Sequence, residues 1–328
     1  MKKILFLLFT ILFVPVFATA QIEGLLQSQL GSAVNSDADI EQLLKAVRSN
    51  NLHQVKNIVN KAMIPSLFVN AADKDGNTAV IEAAKTGNTA IIKYLNAEKG
   101  AKVNTKNKKG NSALGYAIAN RHQKAAELLI QLNAKTDVYF KEDGKIKQKL
   151  MVIAVKKGLT EVAAKILEKT DKKELLTTYS DIDNALLLEA VKTGDTWFVQ
   201  QLLDYGMDIN QFYSAPYYAT PLLFAAYSDD GSHKMLDMMI KRPELKPETV
   251  KDFVYVAINT CSRPDLNTVQ YVLKNFFVEH HIAEFNQVIY DAESNGLTLA
   301  NYAKKQVNNG KTQCKPLSDY LAYISDTK

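Results

Sequence analysis

The sequence predicts an all-α solenoid of stacked helix–turn–helix repeats, on three observations. The first is a motif that returns at a fixed interval. Asp73, Gly76-Asn77-Thr78-Ala79-Val80, Ala83-Ala84 and Gly87 are followed by Asn107, Gly110-Asn111-Ser112-Ala113-Leu114 and Ala117-Ile118, so Gly76 to Gly110 and Ala83 to Ala117 are both 34 positions. A period in this range marks supersecondary units that bury their apolar faces against one another. The second is a more apolar stretch after each motif, with Ile91, Ile92 and Leu95, then Leu128, Leu129 and Leu132, at helical spacing. The third is a small residue that phases further copies: Ala46, Ala83, Ala117, Ala154, Ala190, Ala225, Ala257 and Ala303, at intervals of 37, 34, 37, 36, 35, 32 and 46.

Taken in chain order, residues 1–20 read as a secretory signal peptide. Met1-Lys2-Lys3 is a basic start, Ile4–Phe17 is an almost unbroken apolar run, and Ala18-Thr19-Ala20 is a small-x-small cleavage site before Gln21. The run is shorter than the roughly 20 residues a bilayer span needs, and no cysteine follows it for lipid attachment. Residues 21–37 read as a polar lead-in or capping segment, and residues 38–325 as the repeat array of about seven or eight units, degenerate at both ends. Within a unit, the turn glycine supplies positive φ, and Thr78 or Ser112 stands one position before a helix whose free N–H groups it can cap. The Ala pair lets neighbouring helices approach, and Gly87 ends the first helix. Residues 243–250 and 308–316, with their Pro, Asn and Gly residues, read as loops.

These features resemble the ankyrin-repeat family. The matching stretches are Asp73–Asn88 and Thr220-Pro221-Leu222-Leu223-Phe224-Ala225-Ala226, with tails such as Gly100–Asn104 and Tyr205–Asn210. The family's turn histidine is replaced by Ile81, Gly115, Leu223 and Asn301, and one repeat alone keeps its proline. The resemblance implies a protein-recognition surface on the concave face, built from first helices and hairpin tips.

Composition narrows the function. The formal charge of +5 includes Lys2 and Lys3, so the chain after residue 20 carries about +3, too little to point to nucleic acid. Two cysteines, Cys261 and Cys314, are too few for a disulfide scaffold; they either pair with each other or lie as separate buried thiols. The absence of an Asn-x-Ser/Thr sequon leans towards a bacterial export route, to the periplasm or beyond. Catalytic signatures are weak. His280-His281 lacks the spacing of a zinc helix, Asp229-Asp230-Gly231 lacks the other ligands of a calcium loop, and Cys314 before Lys315-Pro316 has no partner pattern. No cofactor, metal or enzymatic activity is expected.

A binding surface is better supported. Two positions after each phasing alanine stand Arg48, Lys85, Ala119, Lys156, Lys192, Tyr227, Asn259 and Lys305, a basic stripe in the first half. One position before it stand Lys45, Glu82, Tyr116, Ile153, Glu189, Phe224, Val256 and Tyr302, with Tyr213, Tyr217 and Tyr218 in the hairpin ahead of Phe224. Tyrosine and arginine are enriched at interface hot spots, while lysines mostly steer. The expected contact residues are therefore Arg48, Lys85, Tyr116, Lys156, Lys192, Tyr213, Tyr217, Tyr218, Phe224 and Tyr227, for a protein partner with acidic and apolar surface bound by a monomer. The alternative for the lysines is an ordinary solvated face, and Trp197 reads as packing on a second helix. Two other functions stay open: a secreted effector or stress factor with an enzymatic site in the C-terminal units, around Asn301–Gln313, and a periplasmic scaffold or chaperone-like factor without a single partner.

Overall fold

The computed structural model describes residues 36–141, 147–178, 185–214, 219–279 and 298–326. The signal-peptide and most of the lead-in reading, His280-His281, and Tyr217 and Tyr218 lie outside them. The chain divides into two compact units, the first ending at Ile153 and the second beginning at Ala154.

In the first unit, helices pair along the chain: α1 (Asp37–Arg48) with α2 (Leu52–Lys61), then, after a short α3 (Pro65–Phe68), α4 (Ala79–Thr86) with α5 (Thr89–Lys93), then α6 (Ala113–Ala119) with α7 (Gln123–Gln131). Helix α5 continues into a π-turn over Tyr94–Glu98. A two-stranded antiparallel ribbon follows, β1 (Tyr139–Lys141) and β2 (Lys147–Lys149), pairing Tyr139 with Lys149 and Lys141 with Lys147. Helix α8 (Leu150–Lys156) carries the chain into the second unit, where it precedes α9 (Thr160–Leu167) and a short α10 (Lys172–Thr178). The pairs α11 (Leu186–Thr193) with α12 (Thr196–Asp204), α13 (Pro221–Tyr227) with α14 (Lys234–Ile240), α15 (Pro247–Thr260) with α16 (Leu266–Glu279), and α17 (Leu299–Asn308) with α18 (Lys315–Asp326) complete it. The fold class is the all-α ankyrin type read from the sequence.

The phasing alanines and the helix caps read from the sequence have structural counterparts. All eight phasing alanines are 2% exposed or less, because a first helix is sandwiched on that side and a larger residue would push its neighbours apart. The Oγ atoms of Thr78, Ser112, Thr220 and Thr298 accept hydrogen bonds from the backbone N–H three residues on, at Ile81, Gly115, Leu223 and Asn301. Each cap occupies an otherwise orphaned donor of the first turn. At Gly115, in the turn where the family carries histidine, the missing side chain makes room for the Phe140 ring, which lies where a Cβ would stand.

Two loop readings are corrected. Pro247 opens α15 at its first turn, where its fixed φ suits the helix and its missing N–H costs nothing. Residues 312–314 form a 3-10 turn and Pro316 lies in the first turn of α18, so a helix occupies much of what reads as loop.

Polar ladders tie successive units together. Asn77 Oδ1 accepts from Asn107 Nδ2 at 3.0 Å, and Asn111 exchanges two 2.9 Å bonds with the Lys141 backbone. The tail asparagines repeat a second device. Asn70 accepts from Lys102 N–H and donates to the Gly100 carbonyl; Asn104 does the same with Lys135 and Asn133, and Asn210 with Lys246 and Glu244. Asn210 also accepts from Thr249 Oγ1 at 2.7 Å. Replacing Asn210 with alanine strands these groups, and we expect a loss of about 1–2 kcal/mol, read as a lower denaturation midpoint with an unchanged m-value.

Candidate functional site

The four expected cations, Arg48, Lys85, Lys156 and Lys192, stand on first helices, and the first three are engaged within the chain. In the first unit Arg48 Nε donates to Glu82 Oε2 at 3.1 Å and Nη1 to Glu41 Oε1 at 2.7 Å, with Nη2 3.6 Å from Asp73. Lys85 Nζ donates to Glu82 Oε1 at 2.8 Å and stands 4.8 Å above the Tyr116 ring. Glu82 is buried, so two cations hold both its oxygens. In the second unit Lys156 Nζ lies 3.6 Å from the buried Glu189.

These pairs obey one rule. The residue two positions after the phasing alanine of one repeat meets the residue one position before the alanine of the next. Arg48 meets Glu82, Lys85 meets Tyr116 and Lys156 meets Glu189. Near the C-terminus Asn259 accepts from Tyr302 Oη at 2.7 Å by the same relation. The expectation of a free basic stripe is therefore corrected for Arg48, Lys85 and Lys156. The signal was in the sequence, since Arg48 and Glu82 are 34 residues apart, one repeat. It is visible once the two columns are read across the repeat boundary. Lys192 is exposed, and the residue in the corresponding place of the next repeat is Phe224.

The electrostatics follow from this packing. Burial works against the charged form of Arg48, but its bonds to Glu41 and Glu82 outweigh it and raise its pKa further. Burial also opposes ionisation of Asp73. Hydrogen bonds from the Asn77 backbone and side chain and from Asp75 N–H, with the Arg48 charge, overcome it and lower the Asp73 pKa.

The aromatic expectations divide. Tyr213 is corrected: it is 2% exposed, packed on Ala185 and Leu188 with Phe224 against it, so it is core. Its hydroxyl is buried without an acceptor among the described residues, and burial, helped by the Asp208 charge, pushes its pKa up. Its backbone pairs with Ala219 in both directions, which fixes the hairpin ahead of α13 and turns the ring inward. Phe224 is half-buried and Tyr227 is exposed on α13. Sequence reasoning missed Phe212, 59% exposed beside Tyr213, and Tyr255, whose ring stacks on Tyr302 at 5.1 Å and 18°. Trp197, read as packing, is 52% exposed.

An open groove of about 710 Å³ lies beside α1 and the first hairpin, lined by Asp37, Ile40, Glu41, Arg48, Ala72, Asp73, Lys74 and Asp75. Four carboxylates face two cations, so the groove is net acidic, opposite to the charge expected for this half. Asp229, in the stretch that lacks the other ligands of a calcium loop, accepts from the His233 backbone N–H and pairs with its ring. Among the described residues no helix is long and apolar enough to cross a membrane.

Comparison with known proteins locates the repeats. Residues 43–140 match the family model of ankyrin repeats in three copies. This stretch consists of ankyrin repeats. Beyond this stretch the alanine phasing recurs at Ala154, Ala190, Ala225, Ala257 and Ala303, and the hydroxyl cap at Thr220 and Thr298. No match is found among curated proteins. Among solved structures, that of a predatory endopeptidase from Bdellovibrio bacteriovorus in complex with an immunity protein contains a chain 26% identical to this one. The match covers 61% of this chain and 97% of that one, with a TM-score of 0.48. The ankyrin repeat domain of human ASB11 is 20% identical over 62% of this chain and 86% of that one, with a TM-score of 0.45.

Proposed function

We propose that this protein is an exported protein-binding module whose ankyrin repeats seat a partner on the first-helix face and hairpins, without chemistry of its own. The observation that carries the reading is the groove beside α1. Its walls are inner-helix and hairpin side chains, and Arg48 clamps Glu41, Asp73 and Glu82 into a fixed polar surface. Asp37 and Asp75 stand exposed there. A surface of this charge suits a basic segment of the partner, which replaces the acidic partner that the lysine stripe suggested for this half. Export is supported by the layout of residues 1–20 and by the bond between Cys261 and Cys314, a pairing typical of oxidising compartments.

The test is affinity capture with the chain from Gln21 onward, with quantitative mass spectrometry, against a bait carrying Asp37→Lys and Asp75→Lys. Both sites are exposed, so folding should be unaffected. We expect a discrete protein whose recovery falls about tenfold on charge reversal and whose binding weakens with salt. Equal recovery on both baits would remove the groove from the interface, and no discrete captured protein would remove the binding function.

A further inference from the structure

Among the described residues, the rule that pairs successive repeats runs as far as α17. Interior first helices bury the residues that face the next repeat: Leu44 and Val47, Ile81 and Ala84, Leu188 and Val191, Leu223 and Ala226. In α17 the same two places hold Asn301 and Lys304, both exposed, so no described helix buries this side. The residue that would reach across to the next repeat is Lys305. Where the column carries a cation and the next repeat a glutamate, the two meet, as in Arg48–Glu82 and Lys156–Glu189. Lys305 is exposed, and no ion pair holds it among the described residues.

The adjoining stretch of chain supplies no carboxylate. Residues 298–318 contain Lys304, Lys305, Lys311 and Lys315 and no Asp or Glu. Lys315 is paired with Asp319 at 3.3 Å, and Lys311 Nζ donates to the Asn259 carbonyl at 3.2 Å. Lys304 and Lys305 stay exposed. Beside Lys305, one helical turn back on the same face, lies Tyr302, half-buried and stacked on Tyr255. Its hydroxyl is tied to Asn259 Oδ1, which holds the ring pair as a fixed apolar shelf next to a cationic edge. Burial raises the Tyr302 pKa, so the hydroxyl stays a donor at neutral pH.

We propose that the first-helix face of the last two repeats is a second docking site, for a partner segment that places an Asp or Glu beside an aromatic side chain. The carboxylate takes the position at Lys305 that a glutamate of the next repeat takes at Arg48 and Lys156, with Lys304 adding to the field. The aromatic ring packs on the Tyr255–Tyr302 shelf. A basic segment is rejected here by the same lysines, so the two sites select opposite charge. This inference rests on the reading of the first-helix face as the binding face.

The experiment is selection from a random-peptide display library on the chain from Gln21 to Lys328. Selected peptides are then measured by fluorescence anisotropy on three proteins: the starting protein, Lys304→Glu with Lys305→Glu, and Lys305→Arg. We expect enriched peptides that carry an acidic residue next to Phe, Tyr or Trp. Their binding should fall at least tenfold with the double glutamate and persist with arginine, and it should be indifferent to Asp37→Lys with Asp75→Lys. Enriched peptides that bind the double-glutamate protein unchanged, or that lose binding at Asp37 and Asp75 instead, overturn this site while leaving the protein-binding reading intact. A selection that enriches no peptide counts against both.

Discussion

Serine at both Cys261 and Cys314 should lower the stability of the second unit by about 2–4 kcal/mol, read by denaturant unfolding without reductant. The two Cα atoms are 4.7 Å apart and the bridge closes a separation of 53 residues. A loop of that size is worth about 4 kcal/mol in the chain-entropy account, which sets the upper end. The placement explains why the bridge should matter. Cys261 is the left-handed C-cap of α15, and Cys314 is buried in the 3-10 turn before α18. The bridge adds a covalent tie between α15 and the pair α17 and α18, which packs on it. Other ties there are the Tyr302–Asn259 bond, the ring stack and Lys311 on the Asn259 carbonyl. Thiol labelling of the protein without reductant should find no reactive cysteine. Two free thiols, or a double-serine variant as stable as the starting protein, would sink the prediction.

Gly76→Ala should cost about 2–4 kcal/mol in the first unit, and Gly110→Ala only about 1–2 kcal/mol. The two glycines open the same hairpin turn one repeat apart and share a φ of 80°. A side chain at either position meets the left-handed backbone penalty. They differ in what lies beyond. A Cβ at Gly76 would stand 2.8 Å from the Lys108 backbone nitrogen, which donates to the Asp75 carbonyl at 2.9 Å, whereas a Cβ at Gly110 meets nothing within 4 Å. The difference between the two variants therefore isolates the stacking of one hairpin on the next. Thermal unfolding of both proteins measures it, and equal costs would mean that the hairpins do not bear on each other as described.

Both predictions turn on what a residue meets in the adjacent repeat, and that is where reading the sequence succeeded and failed. The phasing alanines were legible because they answer to a local demand. Two helices must approach closely, only a small residue permits it, and the demand recurs with the chain's own period. The Thr and Ser caps were legible for the same reason, since cap and capped N–H lie three residues apart. Pro247 and Pro316 misled because proline breaks a helix interior but suits its first turn, and composition alone does not give the phase. Tyr213 misled because a hairpin looks like a surface element, while its pairing with Ala219 turns this ring into the core.

The charged columns show the division most plainly. The sequence by itself determined the repeat, its helices and caps, and which side chains stand on the first-helix face. It also supplied both partners of every ion pair there. Only the tertiary structure decided that Arg48, Lys85 and Lys156 neutralise buried glutamates, and that the first groove is acidic. Stacking is what places the end of one repeat's helix against the start of the next, and a charge 34 residues away along the chain becomes a neighbour only once the repeats are packed. For the same reason Lys305, with no glutamate of a described repeat against it, keeps an exposed charge that Lys85 and Lys156 do not.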